Sequence, residues 1–292
     1  ALNAFKNASE MTFDLKIQED ASLNYAKLSY DIGNSYQPVP DVLYAFLEKY
    51  PNSPSKQEVE TLLINSYITA KNYKGALEVL EKNKNFANKE AYQKVTFYRG
   101  LELYTDGSYT EALALFKKSI AEPKNAKFLA RATFWKGETE FVLDNFTESL
   151  SSYKQFMAMG ESKSTPENKN INYNVAYDYF KLKDYDQAGN YFQNYIDVVK
   201  DDKVRLNDAY LRLADSRFVM TKYWPAMDAY NKVIEFKSVD ADYAAFQKGI
   251  SYGFVAKNDR KIEDLSKFVS TYPKSQYRDD ALFELANTYV TE

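Results

Sequence analysis

Aromatic residues recur along the chain at a nearly constant interval, each directly after a short polar turn. The residues that close these turns are Tyr73, Tyr109, Phe146, Tyr185 and Tyr223. Successive members of this series lie 36, 37, 39 and 38 residues apart. A period in this range indicates stacked units of supersecondary structure.

Each of these aromatics is followed three residues later by a small side chain, and four residues after that by a large one. The small residues are Ala76, Ala112, Ser149, Ala188 and Ala226, and the large ones are Leu80, Phe116, Tyr153, Phe192 and Tyr230. A spacing of four puts the two residues on one helical face. The pattern therefore predicts a helix whose small residue lets a neighbouring helix approach closely, while the large residue fills the space one turn later.

A second helical stretch precedes each turn. Twelve positions ahead of the small residues stand Ile64, Gly100, Gly137, Ala176 and Ala214. Each unit is thus predicted to be two helices and a turn, and proline-containing stretches such as Tyr50–Pro54 read as helix stops between units. We expect one domain over residues 1–292 with about seven complete helix pairs and partial repeats at both ends, where the pairs span about 22–54, 57–85, 91–123, 127–159, 169–200, 204–237 and 241–273.

These residues resemble the tetratricopeptide repeat, whose pattern is W-x2-L-G-x2-Y, then A-x3-F, then P. The copy formed by Ala176, Tyr179, Tyr185, Ala188 and Phe192 fits best. Glu140 and Arg217 stand where the family has Tyr, with Phe141 and Phe218 beside them. The resemblance implies an all-α, right-handed solenoid cut from a longer array. The sequences Tyr50-Pro51-Asn52-Ser53 and Tyr272-Pro273-Lys274-Ser275 are similar to those in bacterial cell-envelope and outer-membrane-assembly members.

Composition removes several classes of function. The net charge of −3 comes from 38 basic and 41 acidic residues mixed along the chain, so nucleic acid is a poor candidate partner. The absence of Cys and His removes thiolate nucleophiles, imidazole bases and most transition-metal sites, and no glycine-rich phosphate loop is present. We therefore expect no cofactor, no metal and no catalytic residue. The compartment stays open: the family resemblance favours a periplasmic or outer-membrane-associated location over a cytoplasmic one.

In the family, the first helix of every pair lines the inner wall of the superhelix, which is the usual binding surface. The residues that we expect on this wall are Phe97, Leu101, Tyr104, Phe134, Glu138, Phe141, Tyr173, Tyr177, Phe180, Leu211, Asp215, Phe218, Tyr243 and Phe246. Tyr and Phe offer large contact areas at low entropic cost, which suits an extended peptide or an apolar helix. The same rings could instead pack adjacent first helices together. The two acids on this wall would favour a ligand with some positive charge.

The sequence thus predicts a non-catalytic scaffold that binds a peptide or protein segment in an aromatic-lined groove. Two other interpretations stay open: the chain is a structural spacer in a large envelope protein, or it is an α/α toroid glycoside hydrolase. The hydrolase would need two carboxylates facing each other across a pocket, and the acidic residues are scattered. Because the chain begins and ends inside a repeat, we also expect self-association through its ends.

Overall fold

The computed structural model describes residues 1–82 and 88–292 of the chain. Within these residues it contains sixteen α-helices, two short 3-10 helices and no β-strand, which confirms the predicted all-α class. The helices are α1 (Leu2–Glu10), α2 (Leu15–Ile32), α3 (Val39–Lys49), α4 (Lys56–Thr69), α5 (Tyr73–Lys82), α6 (Lys89–Thr105), α7 (Tyr109–Ala121), α8 (Ala126–Val142), α9 (Phe146–Ala158), α10 (Ile171–Lys181), α11 (Tyr185–Val198), α12 (Lys203–Val219), α13 (Tyr223–Phe236), α14 (Ala241–Phe254), α15 (Asn258–Thr271) and α16 (Arg278–Thr291).

Some helix boundaries differ from the predicted ranges, for local reasons. Helix α2 begins at Leu15, seven residues before the predicted start at 22, because the carboxylate of Asp14 caps it by accepting from the Lys16 and Ile17 amides at 2.9 and 3.2 Å. The polar stretch before α10 forms 3-10 helices at Gly160–Ser164 and Pro166–Asn170. The predicted end of the second pair, residue 85, lies outside the described residues.

The chain divides into two compact units, Ala1–Thr139 and Glu140–Glu292. In the first unit, buried side chains cluster around Phe46 and, separately, around Phe116. In the second unit they cluster around Phe192 and Tyr230, and again around Phe268. The prediction of one domain over the whole chain stays a prediction.

The small-and-large positions of the sequence are packing positions in both units. The small residues Ala76, Ala112, Ser149, Ala188 and Ala226 are all fully buried, and the large residues that follow them are at most 5% exposed. Gly100 on α6 shows why a small residue is needed: a Cβ added to it would lie 2.8 Å from the ring of Phe116 on α7. The two helices therefore touch through backbone and ring, as the spacing predicted.

The turns between paired helices share one backbone conformation. The residue in the left-handed region is Lys71, Gly107, Asp144, Lys183, Thr221 or Ala256, with φ between 54° and 81°. The amide of the next residue donates to the carbonyl five residues earlier, as in Lys222 N to Arg217 O at 2.9 Å, which is the Schellman helix ending. In each of these pairs, the second helix begins two residues after the left-handed residue. The aromatic residues that close the turns therefore occupy equivalent positions. Across residues 1–82 and 88–292, no helix combines the length and apolar character that crossing a membrane requires.

Candidate functional site

The structure separates the fourteen predicted inner-wall residues into a buried and a half-buried group. Phe97, Phe134 and Leu211 are at most 5% exposed, so they pack in the core and offer no surface to a partner. Phe97, for example, contacts the rings of Phe116 and Phe128 at 6.2 and 5.5 Å between centroids. The other eleven residues are half-buried.

Four of the half-buried rings have a local packing role that recurs from pair to pair. Tyr104, Phe141, Phe180 and Phe218 near the ends of α6, α8, α10 and α12 each meet the closing aromatic of their own turn edge-on, at centroid distances of 5.3, 5.3, 5.4 and 5.5 Å. Edge-to-face contact at this distance is favourable. Burial, with smaller contributions from Glu138 and Tyr109, raises the pKa of Tyr104 to about 12. These rings therefore brace the turns, and their place on an inner binding wall stays a prediction.

A set of hydrogen-bonded side chains lies on the first helices α10, α12 and α14 of the second unit and on the second helix α13. We call it the α12 network: Tyr173 and Tyr177 on α10, Asp208, Arg212 and Asp215 on α12, Tyr230 on α13 and Tyr243 on α14. The three charged residues follow one another at spacings of four and three, so they share one face of α12.

Asp208 is the acceptor at the α10 side of the α12 network. Its Oδ2 accepts hydrogen bonds from the hydroxyls of Tyr173, at 2.8 Å, and Tyr177. Its Oδ1 lies 3.5 Å from Nε of Arg212. Burial, followed by the Asp208 charge, raises the pKa of both tyrosines, and that of Tyr177 reaches about 12. Both phenols therefore stay protonated and act as donors at neutral pH.

Asp215 is the acceptor at the α14 side of the α12 network. Its Oδ1 accepts from the hydroxyls of Tyr230 and Tyr243 at 2.9 and 3.1 Å, and its Oδ2 accepts from Nη1 of Arg212 at 3.0 Å. Burial raises the pKa of Asp215, whereas the Tyr230 hydrogen bond and the Arg212 charge act in the opposite direction. Arg212 thus joins the two carboxylates and carries one positive charge between them.

The α12 network stays open to solvent in part. The side chains of Asp208 and Arg212 are 25% and 32% exposed, and Asp215 is 12% exposed. Beyond it, the ring of Tyr277 contacts Tyr243 at 5.4 Å and lies nearly parallel to Phe246 at 5.5 Å. The surface is therefore a charged stripe on α12 flanked by aromatic rings of α10 and α14.

The sequence reasoning named Tyr173, Tyr177, Asp215 and Tyr243, but it missed two central members of the network, Asp208 and Arg212. Two signals would have found them. The run Asp208, Arg212 and Asp215 places alternating charges along one helical face. In addition, Asp208 follows Tyr173 by 35 residues, close to one repeat period, and positions one period apart lie on neighbouring pairs.

The fold can be compared with known proteins. No protein-family model matches the chain, and no curated protein matches it. Among solved structures, the chain is similar to the MamA protein, with 20% identity and a TM-score of 0.52 over 63% of this chain and 93% of that one. It is similar to YrrB, a tetratricopeptide-repeat protein, with 17% identity and a TM-score of 0.55 over 72% of this chain and 96% of that one.

A third similarity covers more of the chain. The C-terminal part of a tetratricopeptide-repeat protein from Cytophaga hutchinsonii matches 89% of this chain and 98% of its own length, with 16% identity and a TM-score of 0.52. At these identities the similarity concerns the fold. The helix pairs, the shared turn and the small-and-large packing positions agree with it, and the chain therefore has the fold of a tetratricopeptide-repeat protein.

Proposed function

We propose that the chain is a non-catalytic protein-interaction module, and that its second unit binds a peptide or protein segment along the faces of α10, α12 and α14. The observation that supports this most directly is the α12 network, which holds Tyr173, Tyr177, Arg212 and Tyr243 in fixed positions on a half-buried surface. Side chains that are already ordered lose little entropy when a ligand contacts them, which favours binding.

The chemistry of this surface suits a polypeptide. The aromatic rings offer contact area, and rings combined with an Arg are typical of residues that contribute most to binding energy. Arg212 remains partly exposed and can donate to a ligand carbonyl. Asp208 and Asp215 together carry one more charge than Arg212 balances, so a segment with a basic side chain is favoured. YrrB is a tetratricopeptide-repeat protein with an unusual peptide-binding site, which supports a peptide as a ligand of this fold.

The two other readings from the sequence receive less support. A spacer has no need for a network of seven hydrogen-bonded side chains on a partly exposed surface. A hydrolase needs a carboxylic acid and a carboxylate that are available for proton transfer. Each oxygen of Asp208 and Asp215 already faces a tyrosine hydroxyl or a guanidinium nitrogen, which suits a positioned binding surface.

A selection from a displayed library of random peptides tests this proposal. Peptides enriched on the chain would be synthesised, and their affinity for the parent, a Tyr177→Ala variant and a Trp224→Ala variant would be measured by fluorescence anisotropy. Trp224 is a matched control because it is a 53% exposed aromatic on α13, outside the proposed surface. Circular dichroism would check that each variant keeps its helix content.

We expect Tyr177→Ala to weaken binding tenfold or more, a loss of about 1.4 kcal/mol, and Trp224→Ala to leave the affinity within about twofold. Peptides that bind the folded Tyr177→Ala variant as tightly as the parent would refute the assignment of this surface. A selection that enriches no peptide would favour the spacer reading.

A further inference from the structure

The pair α14–α15 keeps the backbone of the shared turn but not its rings. Ala256 takes the left-handed conformation with φ 54°, and Lys257 N donates to Tyr252 O at 2.9 Å, as in the other turns. Three positions before the left-handed residue, where four earlier pairs carry Tyr or Phe, this pair has Gly253. Two positions after it, where the closing aromatic stands, it has Asn258. Both rings of the recurring edge-on contact are therefore replaced here.

A third repeat position changes with them. The small residue that follows the turn in other pairs is Lys261 in this one. Its side chain passes over Gly253, with Cδ 3.0 Å from the place where a Cβ of that glycine would be. Its Nζ reaches Glu284 on α16 at 2.6 Å, and only 12% of the lysine side chain is exposed. A lysine and its carboxylate partner thus lie beside the place where other pairs have aromatic rings.

The result is an open groove between the end of α14, the start of α15 and α16. It is lined by Ile250 and Gly253 on α14, Asn258 and Lys261 on α15, and Glu284 and Thr291 on α16. Phe254 borders the groove and is 58% exposed. One face of this ring stacks on Tyr223 at 4.8 Å with an interplanar angle of 7°. A further ring could continue this stack into the groove.

We propose that this groove binds a tyrosine side chain from a partner protein. We assign an aromatic side chain to the groove because equivalent positions in four other pairs hold rings and this turn has the same backbone. We assign a hydroxyl group on that ring because polar side chains line the groove. Lys261 and Glu284 hydrogen-bond to each other, and the ammonium has further N–H donors while the carboxylate has a second oxygen, so an inserted phenol can hydrogen-bond to either. A phenylalanine would cover these groups without adding a partner. This site is separate from the α12 network and does not rest on the proposed function.

The probe for this site is N-acetyl-L-tyrosinamide, titrated into the ¹⁵N-labelled chain while backbone amide shifts are recorded by NMR. N-acetyl-L-phenylalaninamide and N-acetyl-L-leucinamide serve as comparison ligands. For so small a ligand we expect a dissociation constant of about 1 mM. The shifts of Gly253, Asn258 and Thr291 should saturate with the tyrosine probe and respond at least several-fold more weakly to the leucine probe.

Two variants fill the groove with the protein's own ring. Gly253→Phe restores the first-helix ring of the other pairs, and its Cβ meets only the flexible end of Lys261. Asn258→Tyr restores the closing aromatic from the other side of the turn and serves if the first variant does not fold. Val239→Phe is the matched control, since it adds the same ring at a position that is 89% exposed.

We expect a groove-filling variant to abolish the saturable shifts and Val239→Phe to retain them. Three results would overturn the proposal: no saturable shift with the tyrosine probe, equal affinity for the leucine probe, or unchanged binding in the groove-filling variants. Equal affinity for the phenylalanine probe would overturn the role assigned to the hydroxyl. None of these outcomes depends on whether peptides bind to the α12 network.

Discussion

Two glycine-to-alanine substitutions in the second unit should change stability in opposite directions. Gly249 and Gly189 both lie inside helices, in α14 and α11. A Cβ added to Gly249 would lie 2.5 Å from Cδ2 and 2.9 Å from Cγ of Leu265, which is fully buried. A Cβ added to Gly189 would find its nearest neighbours at 3.7 and 3.8 Å, which is ordinary van der Waals contact.

The magnitudes follow from two terms. Alanine is favoured over glycine inside a helix by about 1 kcal/mol, and this gain applies at both sites. At Gly249 the new methyl group forces a buried leucine out of its place, and overpacking of this kind costs roughly 1–3 kcal/mol, with the short distance indicating the upper part of that range. We therefore expect Gly189→Ala to stabilise the chain by about 1 kcal/mol and Gly249→Ala to destabilise it by about 1–2 kcal/mol.

Urea unfolding followed by circular dichroism would measure both variants against the parent. Because solenoids can unfold in more than one step, the comparison is valid only where the three proteins share the same slope. A Gly249→Ala variant that is as stable as the parent would refute the argument that these positions must be small to let the paired helices touch. A destabilised Gly189→Ala variant would show that the surroundings of α11 are tighter than the structure indicates.

Two further predictions concern the turns and the tyrosines. Thr221 is a β-branched residue at φ 59°, so Thr221→Gly should stabilise the chain by about 1 kcal/mol in thermal or urea unfolding. Gly107→Thr at the equivalent turn should destabilise the chain by a similar amount. Changes of the opposite sign would contradict the strain argument. The pKa of both Tyr104 and Tyr177 is raised to about 12, so between pH 10 and 12 the folded chain keeps protons that the unfolded chain releases, and stability should fall as the pH rises above about 10. Absorbance at 295 nm recorded with circular dichroism tests this, and complete tyrosine ionisation near pH 10 with intact helices would disprove it.

The repeat could be predicted from the sequence because close packing dictates its residue sizes. A helix that touches its partner through backbone needs Ala, Gly or Ser at the contact, and the positions of Ala112 and Ala188 recur for that reason. Helix ends were less predictable, since they depend on single capping side chains. The early start of α2 at Leu15 follows from one carboxylate, that of Asp14.

The binding surface was harder to predict because the first helices carry apolar residues on several faces. In α6, Phe97, Leu101 and Tyr104 follow at helical spacing, yet the first is fully buried and the other two are half-buried. The helical period shows which residues share one face of a helix, but it does not show which neighbouring helix covers that face. Asp208 and Arg212 carry charges, which on a helix are typical of a solvated face, so the apolar pattern did not predict their part in a hydrogen-bonded surface.

The edge-on ring contact also bears on how helix pairs form during folding. The two rings are five residues apart, as in Phe180 and Tyr185, and so the contact needs only the closure of a very short loop. Contacts this local form early and favour rapid hairpin formation. The pair α14–α15 has Gly253 and Asn258 in place of the rings, so it lacks this local contact. We therefore expect its assembly to depend more on docking against helices that have already folded.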